Sequence, residues 1–513
     1  MRGILVREAD APGPGGRFPR SVWWLWLAAT LALAAVPVVG VRYPPILDLP
    51  QQLAQIDLLG RALAEPDGPY RIQWWEPDKL GYPLLALARA AGDVWAPRLA
   101  VLLTQAAWIA AVFALAARRG RAPEQAALAT LFLWSGTFYG GFVHFLLGVV
   151  ALVFWVPELA RARPERSLRH VAVATFLGGL LLWLAHALWL AAGFVLVPLA
   201  LAARRAPRAE WAARALGLAP LAVASVAWYA TFVRSGWDST LYFGAPWSTR
   251  LTSPPYLASV VLGGLRGTIE TWIVAALGLW LLAGLATARG RAGVDRALAA
   301  LGVTLLLFAL AAPESLGATA MFGRRWGWVG AVCLVLAVPP PEVRTGLRAV
   351  FALSLVGALS AATFAAWRDF GRSWMAGFER TLAPIGTGER VLGLDLVRVV
   401  PRLWIHPFFQ MPAYAQIERG AEIGYSFAET PSSLVVLDRL PVVRPWTKHL
   451  ELYPSGLRNS DLDHFEWLLV IAPPDLHAAL AARFPVLAER ATAGPWRLYA
   501  VETGARAAHG ESP

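Results

Sequence analysis

Cysteine is almost absent from this sequence, and charged residues are scarce. Of the 513 residues, one is cysteine and 16% are Asp, Glu, Lys or Arg, whereas a soluble domain carries about 25% charged residues. Cys333 lies alone in the apolar run GAVCLVLAV, so it can form no intrachain disulfide and lacks the company that a metal site needs. With 57% hydrophobic residues and a mean hydropathy of +0.50, the composition excludes a protein surrounded by water and predicts a multi-pass membrane protein.

Lysine is nearly missing as well, so arginine carries the formal net charge of +12. No basic patch interleaved with aromatic residues occurs outside short loops, which argues against nucleic-acid binding. The positive-inside rule instead predicts that Arg-rich runs between apolar segments are cytoplasmic loops. These runs are RRGR (118–121), RARPER (161–166), RRAPR (204–208) and RGRAGVDR (289–296).

Apolar runs recur with about the 20 residues that a membrane helix needs. The first run has a basic flank, but it is too long for a signal peptide and no A-x-A site follows, so we interpret it as a retained helix. We predict about eleven spans, with breaks inside two long runs at YGG and AHA. They lie near 22–41, 97–117, 125–139, 141–158, 170–185, 187–203, 212–233, 270–288, 297–312, 326–340 and 349–367.

The predicted spans, together with the Arg-rich runs, predict the orientation of the chain in the membrane. With a cytoplasmic N-terminal tail at 1–21, every Arg-rich run and the segment EVRTGLR (342–348) fall on the cytoplasmic side. The C-terminus then lies on the outer face. The predicted architecture is an α-helical polytopic membrane domain over 22–368, with a long first outer loop at 42–95, followed by a soluble domain at 369–513.

The two largest outer segments differ in pattern. In the first loop, PQQLAQIDLLGRALAE and DKLGYPLLALARAAG show apolar residues at helical spacing, which predicts helices lying in the membrane interface. The C-terminal segment is predicted to be a small α/β domain with no P-loop, GxGxxG or nucleophile elbow. Its predicted strands are RVLGLDLV, SSLVVLD, FEWLLVIAPP and PWRLYAVE, and its predicted helix is DLHAALAARFPVLAERA with Asp475 as the N-cap.

Asp48 is an isolated acid just after the first span, in RYPPILDLPQQLAQ. One interpretation is that its side chain caps the helix beginning near Pro50 by accepting backbone N–H bonds. The other is that it is a general base that draws a proton from an acceptor hydroxyl. Prolines on both sides stiffen the backbone, which a catalytic site needs more than a cap does.

Two further acids, Glu76 and Asp78, follow in WWEPDKLGYP. They could hold a divalent cation such as Mg²⁺ or Mn²⁺, or position a sugar hydroxyl. The alternative is a solvated turn that Trp74 and Trp75 anchor at the interface.

Arginines on the outer side are rare, so Arg324 and Arg325 in MFGRRWGW are informative. A guanidinium pair beside an apolar groove suits a lipid-linked phosphate, because the planar fork matches phosphate oxygens. The alternative is snorkelling towards lipid headgroups. Further arginines in the loop 234–269 that we consider for the same positive region are Arg234, Arg250 and Arg266.

His144 and His186 each lie near a predicted break in a long apolar run. A histidine at membrane depth is costly and is therefore a functional candidate. The alternative is a hydrogen bond to a neighbouring helix. No two histidines have the spacing of metal ligands.

This layout resembles the GT-C type of integral-membrane glycosyltransferases, which use polyprenyl-phosphate sugars and include protein O-mannosyltransferases and aminoarabinose transferases. The resemblance rests on ILDLPQQLAQ after the first span, on YGGFVHFLLG (139–148) and on MFGRRWGW. Two departures bear on metal dependence: no second acid stands beside Asp48, and relatives often have histidine where Gln51 or Gln52 stands.

The resemblance implies an inverting glycosyltransferase at the outer face of the bacterial inner membrane. Its partners would be a polyprenyl-phosphate-linked sugar, membrane lipids and an envelope acceptor. Asp48 would be catalytic, and Arg324 and Arg325 would bind the lipid phosphate. Residues that would bind the substrate or acceptor are Gln51, Gln52, Glu76, Asp78, His144 and His186.

Three other classes of protein stay open at this level. A ligase or polymerase of lipid-linked glycans would also work at the outer leaflet, but it predicts its basic residues in one long late loop. A transporter predicts inverted repeats, and no self-similarity between the two halves is evident. A non-catalytic envelope scaffold would be indifferent to loss of Asp48.

Overall fold

The computed structural model describes residues 18–160, 167–203, 205–234, 241–317, 319–397, 399–438 and 444–502. Most of the predicted cytoplasmic tail at 1–21, the basic run 161–166 and Arg204 therefore lie outside the described residues. Helices dominate up to residue 373. They are α1 Arg20–Val39, α2 Leu49–Ala64, α3 Tyr82–Arg89, α4 Ala96–Arg118, α5 Pro123–Ala129, α6 Gly136–Tyr139, α7 Val143–Ala160, α8 Leu168–Ala185, α9 Ala187–Ala203, α10 Arg208–Arg234, α11 Trp247–Thr252, α12 Pro254–Val261, α13 Ile269–Leu285, α14 Ala288–Ala292, α15 Arg296–Ala311, α16 Arg324–Ala337 and α17 Thr345–Ser373.

Within the described residues, five helices are long and apolar enough to cross a membrane, namely α1, α4, α8, α10 and α17. Shorter apolar helices include α9, α13, α15 and most of α7. The chain is thus a multi-pass membrane protein, as its composition predicts. Helices are present at both places predicted in the first loop, as α2 and α3, and their position in the membrane interface stays a prediction.

The single helix predicted over 125–139 is wrong. These residues form α5, a 3₁₀ turn at Thr130–Trp134 and the short α6. Ser135 is extended, and the amide of Gly136 donates to the carbonyl of Leu262 instead of continuing the helix. The predicted breaks at YGG and AHA are confirmed, since α7 begins after Gly141 and His186 is extended between α8 and α9.

The C-terminal part contains a five-stranded sheet with the order β6-β5-β8-β10-β9. Strand β5 runs parallel to β6 and β8, whereas β10 is antiparallel to β8 and β9. The elements beyond α17 are α18 Phe378–Leu382, α19 Ala413–Arg419, α20 Asn459–Leu462 and α21 Pro474–Arg483, with strands β5 Arg390–Asp395, β6 Glu422–Ile423, β8 Trp467–Ile471, β9 Leu487–Ala493 and β10 Trp496–Val501.

Two predictions for this domain need correction. The predicted helix over 475–491 ends at Arg483, near the Phe484-Pro485 step, and continues as strand β9. Asp475 does not occupy the N-cap, which is Pro473, but lies in the first helical turn.

The strand predicted in SSLVVLD is β7, Val435–Leu437, and it joins a different sheet. It pairs antiparallel with β1 Tyr70–Ile72 of the first loop, with Tyr70 opposite Leu437 and Ile72 opposite Val435. A third small sheet joins β2 Leu241–Tyr242, β3 Ser315–Leu316 and β4 Thr319–Ala320. The β1–β7 pair ties the C-terminal domain to the first loop.

Candidate functional site

Asp48 occupies the N-cap position of α2, but its side chain makes no cap hydrogen bond within the described structure. The interpretation of Asp48 as a helix cap is therefore wrong. Its backbone N–H donates to the carbonyl of Gly140 at 3.2 Å, and the N–H of Leu47 donates to the carbonyl of Tyr139 at 2.9 Å. The loop between α1 and α2 is thus fixed on the break between α6 and α7, and the carboxylate is left for other contacts.

Gly141 makes this close approach possible. Its φ of +80° lies in the left-handed region, and a Cβ there would lie 2.7 Å from the amide nitrogen of Asp48. Gln52 adds a hydrogen bond from Nε2 to the carbonyl of Gly141 at 2.7 Å. Gln52 therefore holds the segment that holds Asp48, while its buried Oε1 has no partner among the described residues.

Asp78 lies at the second helix break. Its Oδ1 accepts from the amide of Ala187 at 3.3 Å, and the amide of Lys79 donates to the carbonyl of Leu184 at 2.7 Å. The end of the first loop thus docks where α8 gives way to α9. The solvated turn considered for Glu76 and Asp78 does not describe Asp78, which is partly buried and hydrogen-bonded to the backbone of α9.

Arg325, at the start of α16, lies between these two breaks. Its side chain is buried, and Nη1 lies 3.1 Å from Nε2 of His186. The guanidinium packs 3.8 Å from the ring centre of Phe142 and donates from Nε to the carbonyl of Ala320. Among the described residues, no carboxylate forms an ion pair with it, so it is a buried cation open to an anionic partner.

His186 connects Arg325 to Asp78. Because a guanidinium only donates, its Nε2 accepts from Arg325 and its Nδ1 carries the ring proton; Nδ1 lies 3.7 Å from Oδ1 of Asp78 and 3.1 Å from the amide nitrogen of Leu188. The structure thus brings Asp48, Asp78, His186 and Arg325 into one cluster from four separate parts of the sequence. The sequence reasoning selected each of these residues separately.

The pKa values of the two acids reflect burial. Burial raises the pKa of Asp48 to about 7, and the positive charge of Arg325 opposes that rise. Burial likewise raises the pKa of Asp78 to about 6, against the charges of Lys79 and Arg325. A carboxyl with a pKa near neutrality is suited to exchanging a proton with substrate. Burial raises the pKa of Glu76 as well.

Arg324 has a different environment from Arg325. It forms an ion pair with Glu314 at 3.0 Å and packs over the ring of Tyr256. Arg250 donates to the carbonyls of Leu310 and Ala312. The guanidinium of Arg266 likewise donates to a backbone carbonyl, that of Leu403, and the side chain of Arg234 lies outside the described residues. Arg325 is therefore the arginine that the fold directs into the cluster.

His144 and Gln51 have mainly structural contacts. Nδ1 of His144 accepts from the amide of Gly81 at 2.9 Å, which ties α7 to the first loop, and its Nε2 is buried without a partner in the described part of the chain. Gln51 donates to the carbonyl of Tyr425 and accepts from the amide of Phe427. Contact of either residue with an acceptor stays a prediction.

Sequence reasoning missed two residues that join the C-terminal domain to this region. Nζ of Lys79 donates to the carbonyl of Ser432 at 2.7 Å, and Oε1 of Gln55 accepts from the amide of Val435 at 2.8 Å. Burial lowers the pKa of Lys79 to about 8, against the nearby charges of Asp78 and Glu76. The scarcity of lysine was a usable signal, because Lys79 is one of two in the chain.

The divalent cation considered for Glu76 and Asp78 does not fit these residues well. The described residues contain no group of three or more His, Cys, Asp or Glu side chains that could hold a metal. Arg325 also supplies a positive charge that acts on both Asp48 and Asp78. No step below is routed through a metal.

No family model matches this chain, and no curated protein matches its sequence. Solved structures do match it along nearly its whole length. Arabinofuranosyltransferase AftD from mycobacteria matches with a TM-score of 0.48 and 18% identity, over 95% of this chain and 42% of AftD. This chain therefore spans about two fifths of that enzyme.

ArnT from Cupriavidus metallidurans is similar over the full length of both chains. Its structure with undecaprenyl phosphate gives a TM-score of 0.44 and 15% identity, over 94% of this chain and 98% of ArnT. Its apo structure gives 0.41 and 16%, over 95% and 99%. All these TM-scores lie below 0.5 and the identities below 20%, so any function assigned to this chain depends on the site itself.

Proposed function

We propose that this protein transfers a sugar from a polyprenyl-phosphate donor to a hydroxyl of an envelope acceptor, at the outer face of the inner membrane. One observation carries the proposal: the Asp48 carboxyl, with a pKa near 7, lies close enough to the buried guanidinium of Arg325 for their charges to interact, where the first loop crosses two breaks in apolar helices. A base for the acceptor and a cation for a lipid-linked phosphate are the two groups that such a transfer needs.

In the proposed reaction, ionised Asp48 accepts the proton of the acceptor hydroxyl. The acceptor oxygen attacks the anomeric carbon, and the bond from that carbon to the phosphate oxygen breaks with inversion. The electron pair leaves on polyprenyl phosphate, where charge develops. Arg325 stabilises that charge through a planar fork that matches two phosphate oxygens. His186 lies between Asp78 and the guanidinium of Arg325, and it holds that guanidinium in place.

The C-terminal domain is well placed to limit access to Asp48. Burial raises the pKa of Tyr425 and the charge of Asp48 adds to that rise, and the Tyr425 carbonyl accepts a hydrogen bond from Gln51 of α2. We infer that this domain contributes to acceptor recognition, as its contacts run along the first loop rather than to the membrane helices alone.

A transfer assay with the purified protein in detergent or proteoliposomes tests the proposal. Undecaprenyl-phosphate-linked sugars, labelled in the sugar, are incubated with envelope extract from a deletion strain, and label in the acceptor fraction is counted. Envelope sugar composition of that strain identifies the missing sugar. Transfer of one sugar, and its loss on deletion, supports the proposal. An unchanged envelope together with no transfer from any donor overturns it.

The rate of this transfer should rise with pH through the neutral range. Because Asp48 acts as a base and its pKa is about 7, its ionised fraction grows from about 10% at pH 6 to about 90% at pH 8. We therefore expect kcat/KM to increase about tenfold over this interval. A pH–rate profile under conditions of constant ionic strength measures it, and a profile that is flat from pH 5 to 8 would exclude Asp48 as the base.

The ligase or polymerase reading makes a different prediction for the same experiment. Such an enzyme moves a whole lipid-linked glycan, so deletion would leave the sugar composition of precursors intact and shorten or detach the finished glycan. Sizing the lipid-linked and finished glycans of the deletion strain distinguishes the two.

A further inference from the structure

Glu270 is a buried carboxylate that the proposed reaction does not use. It is 3% exposed and stands in the first turn of α13. An acid at this position commonly serves the amides of its own helix. Here its oxygens instead accept from three consecutive amides of the preceding loop, Gly263 and Gly264 at 2.9 Å and Leu265 at 2.8 Å.

The loop that Glu270 binds is packed directly on the segment that holds Asp48. The carbonyl of Leu262 accepts from the amide of Gly136 in α6. A Cβ on Gly264 would lie 1.9 Å from Cε2 of Tyr139, so the Tyr139 ring lies flush against this backbone. The position of the loop therefore sets the position of α6 and of Tyr139.

The backbone of Tyr139 and Gly140 in turn holds the loop that contains Asp48. Their carbonyls accept from the amides of Leu47 and Asp48, at 2.9 Å and 3.2 Å. Gly263 has a φ of +82°, which glycine alone adopts at low cost, so the loop conformation is specific. A continuous set of contacts thus runs from the Glu270 carboxylate through backbone to Asp48.

We propose that Glu270 is a positioning residue, which fixes Asp48 against the acceptor by holding the loop 262–265. The expected effect on kcat rests on the proposed function. The expected effect of Glu270 on the position of Asp48 does not. A purely structural Glu270 would stabilise the fold without affecting Asp48 in particular. Loss of a positioning residue should lower kcat and leave donor binding intact, because a displacement of about 1 Å at a reacting group can cost about 10²-fold in rate.

Glu270→Gln is the first variant to make, because it keeps the shape but turns one acceptor oxygen into a donor that faces backbone N–H groups. We expect kcat to fall about 10²-fold with KM for the undecaprenyl-phosphate sugar within about twofold. Glu270→Asp keeps the charge and should recover part of the rate. Gly264→Ala, which displaces Tyr139 without touching the carboxylate, should lower kcat in the same way.

Glu124→Gln is the matched control. Glu124 is another buried carboxylate in the membrane domain, paired with Arg348 at 3.1 Å. It lies in the first turn of α5, which packs near the C-terminal end of α16, whereas Arg325 lies at the N-terminal end of α16. Its loss should lower stability without a selective fall in kcat per folded molecule.

Hydrogen–deuterium exchange separates this proposal from the proposed function. In Glu270→Gln we expect faster exchange in the segment 262–267 and also in 44–50, whereas Glu124→Gln should change neither. Faster exchange at 262–267 alone, with kcat unchanged, would overturn the positioning role. If the wild type transfers no sugar, the proposed function fails, yet the exchange at 44–50 still decides whether Glu270 positions Asp48.

Discussion

Asp48→Asn is expected to lower the rate of sugar transfer by about 10²–10⁴-fold, which is the usual contribution of a positioned general base. Asparagine has the same shape and cannot take the acceptor proton. The loss in kcat should be largest above pH 7, where Asp48 of the wild type is ionised, and should shrink as the pH falls, because the rise of the rate through pH 7 disappears in the variant. The measurement is transfer from a labelled undecaprenyl-phosphate sugar by equal amounts of purified protein.

The stability of this variant should move in the opposite direction from its activity. Burial raises the pKa of Asp48, so the folded protein disfavours the ionised form, and this cost grows as the pH rises from about 4 to about 7. A neutral asparagine avoids this cost. The substitution also removes no cap hydrogen bond, because the Asp48 side chain makes none. We therefore expect a Tm at pH 8 that equals or exceeds that of the wild type.

Asp57→Asn provides the comparison on the same helix. Asp57 lies on α2 and forms a partly exposed ion pair with Arg89 at 2.7 Å, a kind of contact worth about 0–1 kcal/mol. Its loss should change the transfer rate by no more than about threefold. Equal losses from both variants would indicate that α2 tolerates no substitution and would leave Asp48 without a special role.

The sequence predicted the parts of this site that local patterns mark. An acid after the first span, the glycine pair Gly140 and Gly141, and His186 inside an apolar run each stand out against their surroundings. Each of them lies where a helix is interrupted, because glycine, proline and polar residues are the residues that interrupt these helices. The same local signals placed α2 and α3 in the first loop.

The pairing of strands that lie far apart in the sequence leaves no comparable local signal. Nothing near SSLVVLD indicates that β7 leaves the C-terminal sheet and pairs with β1, more than 360 residues earlier. The predicted helix over 475–491 failed for a related reason: β9 is amphipathic enough to continue a helical pattern, and its pairing with β10 decides against it. No local pattern in the sequence marks Glu270 either, since the three amides that it binds lie in the preceding loop.

Arg325→Gln is the other substitution with a large expected effect. Removing a charge that stabilises a developing oxyanion costs about 10²–10³-fold in kcat, or roughly 3–4 kcal/mol. The structure adds a second consequence, because the charge of Arg325 opposes the rise in the pKa of Asp48. Without it, Asp48 holds its proton more tightly, so the rate in Arg325→Gln should rise at a higher pH than in the wild type.

Arg325→Lys and Arg324→Gln refine this result. Lysine keeps the charge near Asp48 and Asp78 but lacks the planar fork, so the pH dependence should return towards that of the wild type while much of the rate stays lost. Arg324 is paired with Glu314, and its substitution should cost at most about fivefold, as for an exposed ion pair. If Arg324→Gln is as damaging as Arg325→Gln, both guanidinium groups hold the phosphate, as the sequence suggests. If neither affects the rate, the phosphate is bound elsewhere and the unpaired charge of Arg325 serves only to keep the two acids ionised.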